Sequence, residues 1–416
     1  MKKLNSGLTF IFITLLLDVM GIGLIIPILP KLIESFVNNE LSTASRYLGI
    51  LTSVYALMQF LFAPIFGSLS DQYGRRPIIL FSLFGYGLDY LLLAFAPNLG
   101  WLFVGRVIAG ITGASFTTAT AYIADISEPE KRAQNFGIIG AAFGLGFILG
   151  PALGGVLGGI HMRLPFFAAA GLTLLNWLYG YFILPESLSV EHRRKFSWKS
   201  ANPISSLTNL GKYPVILGLT GSLVFLNLSG QIHPSTWVLF TTKQFHWNEV
   251  DVGLSLAFVG LMVAIVQGGL TRIIVPKLGD RLSVVIGLLL SAFGFLLFGL
   301  ADRGWMMYTA MIPFALGGIA GPAIQGLISR QVGPSEQGGL QGALTSLVSV
   351  TAIIGPLIAT NLFAYFNAPT APIHLPGAAF LLGTVLTIVG LLIAVRSFPR
   401  KKAVEEQAVV EPSSQG

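Results

Sequence analysis

Twelve apolar runs, each long enough to cross a bilayer, follow one another through almost the whole chain and leave it few ways to fold. A hydrocarbon core of about 30 Å takes about 20 apolar residues in helical form. The runs fall near 8–30, 48–69, 77–96, 101–123, 135–157, 164–184, 213–236, 251–272, 282–301, 305–327, 339–362 and 376–396. In lipid every backbone N–H and C=O needs an internal partner, so such a chain is confined to bundled helices. Charged residues make up only 10% and hydrophobic residues 53%, whereas a soluble domain carries about 25% charge. The predicted class is all-α integral membrane, with twelve transmembrane helices.

The same residues exclude several functions. There is no cysteine, and the five histidines (His161, His192, His233, His246, His374) form no i,i+4 pair, so neither a disulfide framework nor a zinc site is expected. The net charge of +7 does not point to nucleic acid, because the basic residues gather at the ends of the runs. No Walker Gly-x4-Gly-Lys-Ser/Thr motif is present, so no nucleotide cofactor is expected and the energy source would be a proton gradient. An enzyme would need acids, histidines or cysteines clustered on one membrane face, and none stand together. The first run follows Met1-Lys-Lys but is too long for a signal peptide and contains Asp18, so it reads as a membrane helix.

Lysine and arginine set the expected orientation. One set of connections, with the termini, carries 19 of them and the opposite set carries 5, which places both termini and the central loop in the cytoplasm. The longest polar interruption, Pro185 to Lys212, divides the chain into an N-terminal six-helix bundle (1–184), a cytoplasmic loop (185–212), a C-terminal six-helix bundle (213–402) and a disordered tail (403–416). A repeat supports this division. Gly74, Pro129, Gly137, Gly150 and Pro151 recur 205 residues later as Gly279, Pro334, Gly342, Gly355 and Pro356. Two related helical bundles are a common transporter plan, with the substrate site between them near mid-membrane.

The loop Gly67-Ser-Leu-Ser-Asp-Gln-Tyr-Gly-Arg-Arg-Pro-Ile-Ile-Leu80 concentrates charge in a tight turn. Gly67 and Gly74 are expected to allow turns and close helix approach. Asp71 is placed to face the positive end of another helix, and Arg75, beside Arg76, to pair with Asp125. Together they would form a cytoplasmic gate that latches the halves. The matching turn in the second half has Pro276 where Asp71 would be, with Gly279 and Arg281 retained. This 14-residue pattern resembles the signature loop of the major facilitator superfamily of secondary transporters.

In the fifth run, Gly146, Gly150 and Gly154 recur every four residues beside Gly155, making a flat stripe for close packing, while Pro151 removes one helical hydrogen bond. The pattern resembles the antiporter motif of that superfamily's exporters. Ionisable residues inside the runs cost at least about 2.5–3.5 kcal/mol each at mid-membrane. Asp89 and Arg106 occupy neighbouring helices and are placed to pair. Asp18 has no evident partner, and burial favours its neutral, protonated form, which makes it a candidate proton carrier. Gln59, Asn227, Gln231, Gln267 and Gln325 are candidate substrate-binding groups, with Phe60, Phe143, Phe147, Phe258 and Trp237 as candidate walls.

From about residue 10 to 365 the chain is similar to the tetracycline/proton antiporters. The resemblance rests on Leu17-Asp-Val-Met-Gly-Ile-Gly-Leu24, Tyr55-Ala-Leu-Met-Gln-Phe-Leu-Phe-Ala-Pro64, Leu88-Asp-Tyr-Leu-Leu-Leu-Ala94, Gly105-Arg-Val-Ile-Ala-Gly-Ile-Thr-Gly-Ala114, Phe245-His-Trp247, Gly253-Leu-Ser-Leu256, Arg303-Gly-Trp305 and Leu340-Gln-Gly-Ala343. It implies drug/proton exchange with Asp18, Asp89 and Arg106 as the charged residues and Gln59 and Gln267 along the drug path. Where well-known members carry a histidine in span eight and an aspartate in span nine, this chain has Val263 and Ser291. Its second half therefore lacks a buried acid and keeps His233 as its only intramembrane titratable candidate, so the first half must carry the protons. The expected function is proton-coupled export of a small amphiphilic compound by a monomer in a bacterial-type cytoplasmic membrane. Export of a siderophore or metabolite, proton-coupled import on the same fold, and a non-transporting sensor are the alternatives.

Overall fold

A computed structural model describes residues 2–113, 115–128, 131–196, 198, 216–332 and 337–398. The tail at 403–416, most of the central loop, and Pro129 and Pro334 of the repeat lie outside the described residues. Among those described there is no strand. In chain order the helices are α1 (Lys2–Ile25), α2 (Leu29–Phe36), α3 (Leu41–Tyr73), α4 (Arg75–Phe95), α5 (Leu99–Thr112), α6 (Ser115–Ile126), α7 (Arg132–Ile160), α8 (Leu164–Ile183), α9 (Leu217–Gly230), α10 (Ile232–Phe245), α11 (Glu249–Ile265), α12 (Thr271–Leu278), α13 (Asp280–Leu300), α14 (Gly304–Leu316), α15 (Ala320–Ser329), α16 (Gln337–Asn367) and α17 (Ala378–Ser397).

Eleven segments among the described residues are long and apolar enough to span a membrane. The predicted seventh span is instead broken into α9 and α10, which meet at Gln231. The first span is shorter than expected, since α1 stops at Ile25 and the chain turns before α2. Local chemistry explains several boundaries. Asn98 accepts from the Trp101 amide at the start of α5, and Asn248 with Asp251 forms a capping box at the start of α11. Gly74 and Gly279 are the described glycines with positive φ, +104° and +73°, and each joins two helices with no intervening loop.

The internal repeat is reproduced in the backbone. α4 and α13 begin at Arg75 and Asp280, α5 and α14 at Leu99 and Gly304, and α7 and α16 at Arg132 and Gln337, each pair 205 residues apart. The interruptions also repeat. The turn after Ile25 matches the break at Gln231, and the break at Gly113 matches a short 3-10 stretch at Gly317–Ile319. A further interruption, a π-helical stretch at Val266–Leu270, divides α11 from α12. In transporters such discontinuous helices line the cavity at the interface of the repeats, where freed backbone groups find other partners.

The two halves meet along α7 with α11 and α3 with α16. The glycine stripe divides between two neighbours. A Cβ on Gly146 would lie 2.8 Å from Val19 Cβ, and one on Gly150 would lie 2.7 Å from Met20 O, so both press on α1, as does Gly154. Gly155 turns the other way and meets Glu249 O and Gly253 Cα of the second half. Across the other seam Ser53 Oγ donates to Ile353 O at 2.6 Å. At the end of the molecule away from the termini, one buried apolar cluster runs through both halves, from Ile28 and Tyr90 to Trp237 and Phe363. Lys31 and Glu249 form an ion pair across this end. Near the termini the cores are separate, one around Phe10, Leu83 and Tyr122 and the other around Leu219, Leu288 and Ile324. The halves are thus sealed at one end and parted at the other.

Candidate functional site

The first half presents a polar cluster toward the gap. Asp18, half-buried on α1, accepts a hydrogen bond from Ser115 Oγ at 2.7 Å. Ser115 opens α6 just beyond the Gly113 break, so its hydroxyl is held against α1. This partner was not evident from the sequence because it stands 97 residues away. Gln59 on α3 lies beside Tyr55 Oη (3.4 Å) and Gly113 O (3.5 Å). Asp89 on α4 is fully buried, and its Oδ2 accepts from Arg106 Nη2 of α5 at 2.8 Å, the pairing the sequence predicted. Asp89 Oδ1 and Arg106 Nε make no hydrogen bond. The guanidinium also lies 5.9 Å from the centre of the Tyr55 ring, a cation–π distance. A cavity of about 220 Å³ between the halves is lined by Tyr55, Tyr86, Asp89, Tyr90 and Arg106 of the first and by Pro234, Ser235 and Val238 of α10. The three tyrosines escaped the sequence reading, since an aromatic in a span more often packs than binds.

The second half contributes a different surface. Asn227, Gln231, Gln267 and Gln325, chosen from three separate spans, line one cavity of about 530 Å³ with Ser291, Phe295 and Phe314. Their convergence follows from the helix breaks, because Gln231 sits at the α9–α10 junction and Gln267 in the π-helical stretch. Asn227 donates its amide back to Leu223 O at 2.8 Å. The amides of Gln231, Gln267 and Gln325 make no hydrogen bond among the described residues and are free for a ligand. No ionisable side chain lines this cavity. Val263 and Ser291 both do, so the departures from the well-known antiporters fall on the wall itself.

The aromatic walls expected from the sequence are corrected. Phe60, Phe143, Phe147, Phe258 and Trp237 do not line the amide cavity; Phe295 and Phe314 do. Trp237 is fully buried and donates its indole N–H to Ser255 Oγ at 3.0 Å. Phe258 packs on Tyr308, and Phe143 packs edge-on against Phe116 on an exposed face. His233 stands one residue beyond Ile232 on α10, enclosed by Trp237 (4.5 Å), Phe314 (5.2 Å) and Phe298 (6.0 Å), with Nε2 unpartnered.

The charged loop forms a tight network, partly different from the one expected. Arg75 pairs with Asp125 at 3.1 Å as predicted, and also with Asp71 at 2.6 Å. Asp71 therefore faces the first residue of α4, the next helix of its own half, and no helix of the other half. Gly67 lies inside α3, with nothing within 4 Å of a Cβ built there, and makes no turn; Gly74 alone does. Glu186, which sequence reasoning missed, accepts from the Arg75 and Arg76 amides at 2.8 and 3.2 Å, placing a carboxylate at the positive start of α4. Arg76 donates to Tyr181 O. All these contacts stay within the first half and its connector, so the halves are not latched together here. The second half keeps the pair with its charges exchanged: Asp280 pairs with Arg330, the positions 205 residues after Arg75 and Asp125. Comparing residue types alone hid this, because neither identity nor sign is repeated.

Two repeated helical halves, charged on one face of a central gap and amide-lined on the other, define a membrane transporter of small molecules and not an enzyme. The chain belongs to the Major Facilitator Superfamily, whose model matches residues 11–283 and 270–413, and within it to the family of the tetracycline resistance proteins. It is similar to the Escherichia coli tetracycline resistance protein of class C, at 42% identity over 389 residues, covering 94% of this chain and 96% of the relative. It is likewise similar to the class E protein of Escherichia coli, at 40% identity over 393 residues, covering 94% and 95%. Among solved structures, the bacterial homologue of the human lysosomal transporter Spinster, inward-facing and occupied, superposes with a TM-score of 0.77 at 16% identity, covering 94% and 96%. The last likeness speaks to fold alone.

Proposed function

We propose that this protein exports a small amphiphilic compound of the tetracycline type, or a related one, in exchange for protons by alternating access. The observation that carries the reading is the division of labour across the gap. Among the described residues the cavity against the first half is lined by the Asp89 carboxylate with Arg106, and the second-half cavity offers amides and phenyl rings without charge. Substrate would rest on Gln231, Gln267 and Gln325, with Asn227 beside them and Gln59 opposite. Protons would be exchanged by Asp18 and by Asp89 with its partner Arg106. An inward proton crossing a 100 mV potential releases about 2.3 kcal/mol, enough to bias two states of comparable energy.

The excess of lysine and arginine at the termini end favours a cytoplasmic location for both termini in a bacterial-type inner membrane. The parted end then opens to the cytoplasm, where an exporter collects its cargo. Gly155 against Gly253, and Lys31 with Glu249, hold the outer end shut. In the opposite state the cytoplasmic ends close, and the Arg75–Asp71–Asp125 network, already ordered beside the gap, supplies the gating charges with Gly67, Gly74 and Arg76. Gly146, Gly150, Pro151 and Gly154 fasten α7 to α1, so the helix bearing Asp18 moves with the helix that closes the outer end. No contact in this scheme requires a second subunit, and the monomer is the working unit.

Everted membrane vesicles test the reading. An imposed proton gradient should drive tetracycline into vesicles containing the wild-type protein, with proton release on adding drug. Asp18→Asn should abolish both while the purified protein keeps its helical circular dichroism. Drug-driven proton release that survives in Asp18→Asn would refute the assigned role of Asp18, and uptake indifferent to the gradient would refute proton coupling.

A further inference from the structure

Between the two first-half carboxylates stands a pair of hydroxyls. Tyr55 Oη on α3 and Tyr86 Oη on α4 are 3.2 Å apart, within hydrogen-bonding reach. On one side they share a cavity with the Asp89–Arg106 ion pair, and Arg106 lies against the Tyr55 ring. On the other side they approach the α5–α6 break. A Cβ on Gly113 would lie 3.2 Å from Tyr86 Oη and 3.1 Å from the Gln59 amide. Two residues further on, Ser115 donates to Asp18. Asp18 and Asp89 are both within electrostatic reach of Tyr55 and of Tyr90.

We propose that the Tyr55–Tyr86 hydroxyl pair relays protons between the Asp89–Arg106 ion pair and the Asp18–Ser115 pair. The inference rests on the proton-coupled reading above and adds a route to it. A neutral phenol both donates and accepts, so it passes a proton on without becoming charged, which matters where ionisation would leave a bare charge among packed apolar helices. Protonated Asp89 gives its proton to a phenol oxygen while that phenol's own proton moves to the next oxygen. The last transfer forms an O–H bond on the Asp18 carboxylate. One O–H bond is broken at Asp89 and one is made at Asp18. Both tyrosines end neutral, and rotation about their C–O bonds resets them. Water spans the steps longer than a direct hydrogen bond. The unpartnered Oδ1 of Asp89 is an oxygen free to take up the incoming proton.

The charged and titratable groups around the pair come from three elements: Asp18 on α1, Asp89 and Tyr90 on α4, and Arg106 on α5. The facing helix α10 presents Pro234, Ser235 and Val238, none of which titrates, while His233 is enclosed by rings of its own half. Tyr179, which packs on Phe10 and lines no part of this cavity, provides an internal control.

The test uses the full-length protein in liposomes with tetracycline as probe. Tyr86→Phe, Tyr55→Phe and the double variant keep each ring and remove the hydroxyl. Each should cut proton-driven tetracycline transport by at least about tenfold, in the range of lost proton-transfer assistance. Tetracycline counterflow, which needs no net proton movement, should stay within about twofold of wild type. Tyr179→Phe should behave as wild type in both assays. Should Tyr86→Phe fail to fold, Tyr55→Phe breaks the same pair and carries the test. Proton-driven transport retained in the double variant would overturn the relay, as would parallel loss of counterflow and driven transport. A wild-type protein that moves tetracycline without protons would overturn the coupling itself, and is told apart because it fails before any variant is compared.

Discussion

Placing a side chain at Gly155 should force open the outer end of the molecule. Gly155 sits where α7 crosses α11, and a Cβ there would meet the Glu249 carbonyl oxygen and lie 3.1 Å from Gly253 Cα. Both obstacles are backbone atoms, which cannot swing aside as a side chain does. Relief requires α7 and α11 to separate, and with them the seam that joins the halves. Overpacking of this kind costs about 1–3 kcal/mol, and a tenfold change in a two-state ratio corresponds to about 1.4 kcal/mol. Gly155→Val should therefore shift the balance between outer-closed and outer-open states about 5- to 150-fold toward open. The chain contains no cysteine, so spin labels attach cleanly at cysteines introduced for the exposed Arg46 and Lys243, one on each half. Double electron–electron resonance should show a longer-distance population in Gly155→Val that is minor in wild type. Gly171→Ala, where nothing lies within 4 Å, should leave the distances unchanged. Identical distance distributions for Gly155→Val and wild type would refute the claim that this glycine crossing holds the outer end shut.

Two further outcomes follow from the ion pairs. Arg106→Ala strands a fully buried Asp89 carboxylate and should lower stability by about 3–5 kcal/mol; thermal unfolding in detergent should show this, and the added Asp89→Asn change should recover most of the loss. At the charged turn, exchanging the pair as Arg75→Asp with Asp125→Arg copies the polarity that Asp280 and Arg330 already carry at the equivalent places. The double variant should transport better than either single variant in everted vesicles, and no improvement over Arg75→Asp alone would show that the Arg75 side chain acts through Asp71 instead.

The sequence by itself determined the architecture. Runs of bilayer length with little charge can satisfy their backbones in lipid only as helices, and a constant 205-residue offset of glycines and prolines marks the two related halves. It also determined the Asp89–Arg106 pair, since two opposite charges buried on adjacent helices have few other ways to be tolerated, and the Arg75–Asp125 pair. What it left open depends on distances between residues far apart in the chain. Asp18 gained Ser115 because the α5–α6 break holds that hydroxyl against α1, and Tyr55 met Tyr86 because α3 and α4 pack side by side. The wall aromatics became Phe295 and Phe314, because helix rotation, which an all-round apolar span does not encode, decides which rings face a cavity. The charge-exchanged Asp280–Arg330 pair was invisible to residue matching, since an ion pair is unchanged in kind when its partners trade places. Which end of the molecule is sealed is likewise a tertiary matter: it depends on glycine backbones of the two halves touching at Gly155 and Gly253, and a second arrangement of the same helices would bury different surfaces with the same residues.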